Sequence, residues 1–152
     1  TWLFIGGGAL LEPFKTDVAK RGLTSVRFEP YQPRALLSQS LSAGDVHLVS
    51  LRPELEGLIV PSKFYGIAAA GRATIFIGSK DGEIARLLNE HDCGIAVDEG
   101  DGQDLAQAIK SLCTDANKSA AMGANARSAF EANWDKNVVV RLWHPILIDV
   151  QL

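Results

Sequence analysis

The chain has 152 residues, 47% hydrophobic and 22% charged, a balance that suits one globular domain and excludes a disordered chain. A formal net charge of −3 leaves no basic field to hold nucleic acid, and no apolar run approaches the roughly 20 residues of a membrane span or follows a basic leader. Cys93 and Cys113 lack metal-ligand spacing and read as the thiols of a reduced cytoplasmic protein, with a single disulfide left open.

Thr1 runs straight into Trp2-Leu3-Phe4-Ile5, a strand with no lead-in, as expected of a piece of a longer protein. Gly6-Gly7-Gly8 closes that strand, and Leu10, Leu11, Phe14 and Val18 mark one face of a helix with Pro13 in its first turn. Ser25 to Phe28 is the next predicted strand, and Pro33 opens a helix carrying Leu36, Leu37 and Leu41. Val46 to Leu51 reads as a strand covered on both faces. A loop over 52–60 comes next, then a helix from Pro61 to Ala70 stopped by Gly71. Thr74 to Ile77 is a strand, Glu83 to Asn89 a helix, and Gly94 to Val97 a short strand. Helical periodicity continues through Leu105, Ile109 and Leu112, through Met122, Ala126 and Phe130, and through Lys136 to Trp143; the tail beyond is unassigned. Strands separated by helices predict an α/β domain with a Rossmann-like parallel sheet flanked by helices, over residues 1–152 as one unit. The ligand crevice of such a sheet lies at the carboxyl ends of its strands.

One of those ends leads into Glu56-Gly57-Leu58-Ile59-Val60-Pro61-Ser62-Lys63. The first amides of a helix lack intrahelical acceptors, and the helix dipole adds positive potential there, so such an end suits phosphate. Lys63 would add a full charge, Ser62 a hydroxyl, and the Glu56 carboxylate an acceptor for sugar hydroxyls. The plain alternative is a solvated loop with Ser62 capping the helix.

The run Glu56-Gly57, Pro61-Ser62-Lys63-Phe64-Tyr65 and Ala68-Ala69-Ala70-Gly71-Arg72 resembles the donor-site signature of family 4 retaining glycosyltransferases. Asp81-Gly82-Glu83-Ile84-Ala85, Cys93-Gly94, Gly100-Asp101-Gly102, Leu105-Ala106, and Met122-Gly123 with Ala126-Arg127 come after it in the family's order. Upstream, Ile5-Gly6-Gly7-Gly8 and Phe28-Glu29-Pro30-Tyr31 resemble the start of the same domain. The resemblance implies the C-terminal, donor-binding half of a GT-B glycosyltransferase, lacking its N-terminal acceptor domain. The implied donor is a nucleoside-diphosphate sugar, most simply a UDP-sugar, with no metal or other cofactor. The implied acceptor is a saccharide or lipid-linked saccharide of bacterial polysaccharide biosynthesis. That setting is cytoplasmic, with peripheral association at the inner face of the membrane.

Residue by residue, the resemblance gives Glu56 the hydroxyls of the transferred sugar, as the catalytic carboxylate. The amides of Leu58, Ile59 and Val60, beside Gly57, Ser62 and Lys63, would hold the diphosphate. The segment Glu29 to Tyr31 would border the base, Glu29 and Tyr31 largely through backbone groups, and Gly6 and Gly7 would let the chain pass close to the nucleotide. A second glutamate that resembles a ribose ligand is replaced here by Gly66, which leaves Glu83 or the backbone to make that contact.

Two other readings compete. Gly6-Gly7-Gly8 with Glu29 imitates an NAD-binding fingerprint, although its third glycine falls at Leu11. Gly66 motivates the other, a non-catalytic interaction domain. His47 reads as a core histidine, His91 and His144 as surface residues, and Trp2, Trp134 and Trp143 as packing groups, with 134–143 a candidate for docking on the absent domain.

Overall fold

The computed structural model describes residues 1–149 and resolves into two compact units, 1–44 and 45 onward. In the first, β1 (Trp2–Ile5) and β2 (Val26–Glu29) flank α1 (Leu11–Lys20). A single 3-10 turn at Arg34–Leu36 then leads into α2 (Leu37–Ser42). The two strands pair in parallel, with Trp2 opposite Val26 and Ile5 opposite Glu29. Phe4, Phe14 and Phe28 lock α1 onto this ribbon, their ring centroids 4.8 to 5.6 Å apart in edge-on and offset contacts. Pro13 sits within the first turn of α1, where its missing N–H costs nothing.

The second unit carries β3 (Val46–Ser50), a 3-10 turn (Pro53–Leu55), α3 (Lys63–Ala69), β4 (Ala73–Ile77), α4 (Glu83–Glu90) and β5 (Gly94–Val97). Behind them come α5 (Gly102–Thr114), α6 (Ala116–Ala129), a π-helical turn (Phe130–Trp134) and α7 (Lys136–Asp149). The sheet runs β3-β4-β5, all parallel, with Val46 opposite Ala73 and Thr74 opposite Gly94. Its central strand is buried from Ala73 to Phe76, so the stretch shows no alternation of exposed and buried positions and carries Thr74 as its one polar residue. Phe64, Phe76, Ile75, Ile84 and Leu88 are almost wholly excluded from water; each such side chain contributes roughly 2–3 kcal/mol by area alone.

The elements fall in the expected order; several ends shift by a single residue, and three boundaries differ by more. The helix expected from Pro61 begins at Lys63, with Ser62 already in helical geometry, and Pro61 contributes instead the carbonyl that accepts the Phe64 N–H. The helix expected from Pro33 starts as a 3-10 turn, because Leu36 N–H returns to the Pro33 carbonyl. The tail beyond Trp143 continues α7 through Pro145 to Asp149, and residues 150–152 lie outside the described part. Cys93 is buried just before β5 and Cys113 is exposed on α5; both are free thiols. Among the described residues, no helix is long and apolar enough to cross a membrane.

Candidate functional site

In the first unit the chain leaves β1 at Gly6, whose φ of +116° suits glycine alone and whose N–H extends the ladder to the Glu29 carbonyl. The bare surface of Gly6 and Gly7 is occupied by the ring of Tyr31, and a Cβ on Gly6 would sit 3.1 Å from that ring. The Tyr31 hydroxyl donates to the Gly7 carbonyl at 3.2 Å. Gly6, Gly7, Glu29 and Tyr31 are therefore brought together, with the tyrosine engaged through its side chain rather than its backbone. Its other face is open, since the residue is 79% exposed. A shallow hollow of about 460 Å³ borders the same glycines, with Phe4, Leu10 and Phe14 among its walls.

In the second unit the loops that leave β3 and β4 meet. The strands are neighbours, so their carboxyl ends, Ser50 and Ile77, lie side by side. The loop after β3 makes the 3-10 turn and reverses at Gly57, with φ +78°. This reversal turns the Leu58 and Ile59 N–H groups back onto the Leu55 carbonyl, at 3.1 and 3.2 Å. Two of the amides assigned to diphosphate by resemblance are thus engaged within the loop, whereas Val60 makes no such return bond. Ser62 stands at the N-cap of α3 without a side-chain capping bond, so it is not the cap that the plain reading supposed. Lys63 is exposed, with no ion-pair partner among the described residues.

Glu56 points across to the loop after β4. Its Oε1 accepts the N–H of Glu83, the first residue of α4, at 2.8 Å. The first turn of a helix offers unpaired amides and a positive dipole end, so a carboxylate settles there. Its Oε2 is buried and has no hydrogen-bond partner. Glu83 thus meets Glu56 through its backbone, and its own carboxylate is exposed. Tyr65, on α3, faces the same place: burial, and then the negative charge of Glu83, raise its phenol above the ordinary value.

In the sequence, Tyr65 and Gly82 figure only as parts of a motif; both join this constellation, Gly82 by lying directly under the Glu56 carboxylate. Gly66 sits inside α3 and contributes its carbonyl to Ala70 N–H. A second hollow, of about 580 Å³, lies along α4 and β5, with Lys80, Arg86, Asn89 and Ile95 in its lining; it includes Asp81, Ala85 and Gly94 of the motifs but none of the residues assigned to the donor. Lys80 is held there by Asp104 and Asp98, which keep its ammonium above the ordinary range. Of the histidines, His91 packs edge-on against Trp134, 5.5 Å away, rather than standing free at the surface. Trp134 is a packing group, as expected, between Phe64, Tyr65 and His91. Among the described residues, no three metal-ligating side chains cluster.

Comparison with known proteins bears on this geometry. The family model described as "Glycosyl transferases group 1" matches residues 1–129. A curated relative, described as the probable glycosyltransferase WbjE of Pseudomonas aeruginosa, is 30% identical over 135 residues, which cover 89% of this chain and 33% of that protein. The chain therefore spans about a third of the length of the curated relative it matches. Among solved structures, HepE of Anabaena, crystallised in complex with UDP-glucose, superposes with a TM-score of 0.76 at 19% identity, over 97% of this chain and 40% of that one. Sucrose-phosphate synthase from Thermosynechococcus elongatus gives 0.72 at 23% identity, over 97% of this chain and 38% of that one. At these identities the two structures show the fold: parallel sheets flanked by helices, as in the C-terminal part of GT-B enzymes.

Proposed function

Because the chain belongs to the family of group 1 glycosyl transferases, we propose that it is the donor-binding part of a retaining glycosyltransferase that moves a sugar from a nucleoside diphosphate. The observation that carries this reading is the joining of the loops after β3 and β4 through Glu56, at the strand ends where parallel α/β folds take their ligands. HepE binds UDP-glucose, which supports a UDP-sugar as the donor here. The curated relative's glycosyltransferase description supports an enzyme as the whole protein. A saccharide or lipid-linked acceptor in polysaccharide biosynthesis, bound by a separate N-terminal domain of the same protein, belongs to the same proposal. So does a cytoplasmic location, with the whole protein resting on the inner membrane face.

In the reaction, the bond from the sugar's anomeric carbon to the diphosphate oxygen breaks, and an acceptor hydroxyl oxygen takes its place on the same face. Negative charge grows on the leaving diphosphate while the sugar becomes oxocarbenium-like. Lys63, Val60 N–H and the start of α3 are assigned to that leaving group, where one well-placed donor is worth about 3 kcal/mol in the transition state. Glu56 is assigned to the hydroxyls of the transferred sugar, with Glu83 beside it. Gly6, Gly7, Glu29 and Tyr31 are assigned to the nucleoside, the open face of Tyr31 offering a stacking surface for the base.

Titration calorimetry tests the donor. UDP binding to the chain is expected, with Lys63→Ala weakening it by about tenfold, the loss of one charge-assisted contact. NAD binding tighter than UDP would replace the proposal with the dinucleotide reading. Sugar transfer by the whole protein that is unaffected by Glu56→Ala would remove Glu56 from the chemistry.

A further inference from the structure

The Glu56 carboxylate reaches α4 only because residue 82 has no side chain. A Cβ built on Gly82 would lie 2.6 Å from both the carboxylate carbon and Oε2 of Glu56, and 2.8 Å from Oε1. The backbone of Gly82 is extended, with φ −74° and ψ 168°, a conformation open to any residue. The demand for glycine is therefore one of space. Gly82 is buried and occupies the N-cap of α4, yet the side chain that meets the first helical amide comes from Glu56, 26 positions earlier. Helix α4 is firmly seated, with Ile84, Ala85, Leu87 and Leu88 all buried, so its end is a fixed point against which a flexible glutamate can be oriented.

From these contacts we infer that Gly82 is a positioning residue for Glu56: the glycine and the Glu83 N–H together set the direction of the carboxylate and hold the loop after β3 in place. The inference rests on the proposed role of Glu56 for its catalytic meaning, while its physical content, that residue 82 acts through Glu56, stands apart from that role. One carboxylate oxygen is bound to the Glu83 amide, and the other keeps its acceptor capacity unused. A methyl group at position 82 expels the carboxylate from this seat, a displacement of the ångström scale that is worth about a hundredfold in rate when it falls on a reacting group.

A double-mutant cycle in the whole protein tests this, with wild type, Gly82→Ala, Glu56→Ala and the double variant each read by kcat, donor KM and thermal unfolding. Gly82→Ala is expected to lower kcat by about a hundredfold with Glu56 present, and to change little once Glu56 is alanine. Its effect on the unfolding midpoint is expected to vanish in the same way. Equal losses from Gly82→Ala in both backgrounds would overturn the inference, because residue 82 would then act on the fold without Glu56. If Glu56→Ala leaves transfer intact, the proposed catalytic role fails by itself. The unfolding cycle then decides the inference, with coupling supporting it and additivity overturning it. Should Gly82→Ala alone fail to fold, recovery of folding in the double variant supports the inference, and failure of both overturns it.

Discussion

Gly123→Ala tests the packing that holds α3 in place. Helix α6 lies against the turn between α3 and β4, and at position 123 the approach is so close that a Cβ would stand 2.3 Å from the Gly71 carbonyl oxygen. The obstacle is backbone and cannot swing aside. Gly71 is itself at φ +66°, in a turn whose amides are bonded to Ala68 and Ile67, so the turn has little freedom to yield. Ordinary contact begins near 3.4 Å, which requires α6 to back away by about 1 Å. That motion loosens the buried Met122 and Ala126 on the same helix and draws Arg127 from the Ala69 carbonyl, to which its guanidinium donates. Overpacking of this kind costs roughly 1–3 kcal/mol. Alanine in place of a mid-helix glycine offsets about 1 kcal/mol of that. A backbone obstacle at this distance belongs at the upper end of that range, so the net loss is about 2 kcal/mol, a fall of about 4–8 °C in the unfolding midpoint for a chain this long. Thermal melts tracked by far-UV circular dichroism read it directly. Gly102→Ala is the control, since a Cβ there meets open space and the midpoint should hold or rise slightly. A Gly123→Ala midpoint equal to wild type or above it would refute the reasoning, because helix propensity would then have outweighed the clash.

Burial pushes the Cys93 thiol up from 9.0 to about 11, with the charge of Asp92 adding to the effect. A thiol reagent near neutral pH should therefore label only exposed Cys113 in the folded chain and both residues after denaturation; two rapid labels on the native chain would count against it. The same shift sets the sign for stability. Between pH 9 and about 11 the unfolded chain releases a proton that folded Cys93 retains, so stability falls as pH rises through that window, and Cys93→Ala should flatten the decline in chemical denaturation. Asp101 accepts the N–H groups of Gln103 and Asp104 at 3.1 and 2.8 Å, so Asp101→Ala should cost about 1–2 kcal/mol in denaturant unfolding. An unchanged midpoint would mean that water caps α5 equally well.

The strands were the most legible elements, because Val46 to Ser50 and Ala73 to Ile77 are mostly apolar, interrupted only by His47, Ser50 and Thr74, and a charge or a glycine follows within two residues, at Arg52 and Gly78. Helix starts were less so. Proline is favoured at the first helical position, and that preference placed the start of α3 at Pro61, whereas the chain uses the proline's carbonyl and begins winding at Ser62. Glu56 was legible as a candidate, but its direction was not, since its partner amide is 27 residues away and depends on how β3 and β4 align. The same limit applies to Tyr31, whose ring settles on Gly6 and Gly7 because those residues leave a surface bare, a contact across 24 positions. The inward turn of the Leu58 and Ile59 amides has a local cause, the left-handed Gly57, and composition around a glycine does not say which way the chain reverses.

The π-helical turn at Phe130–Trp134 bears on how the chain would tolerate a change of length there. Asp135 N–H reaches back five residues to the Phe130 carbonyl, so this turn holds one residue more than an α-helical turn accommodates. Deleting one of the five leaves an α-helical turn in its place, so the chain beyond keeps its heading. Trp134, the last residue of the turn, meets the rings of Phe64 and Tyr65 at 5.3 and 5.2 Å. The extra residue is thus absorbed locally, and the indole beside it forms a wall for α3.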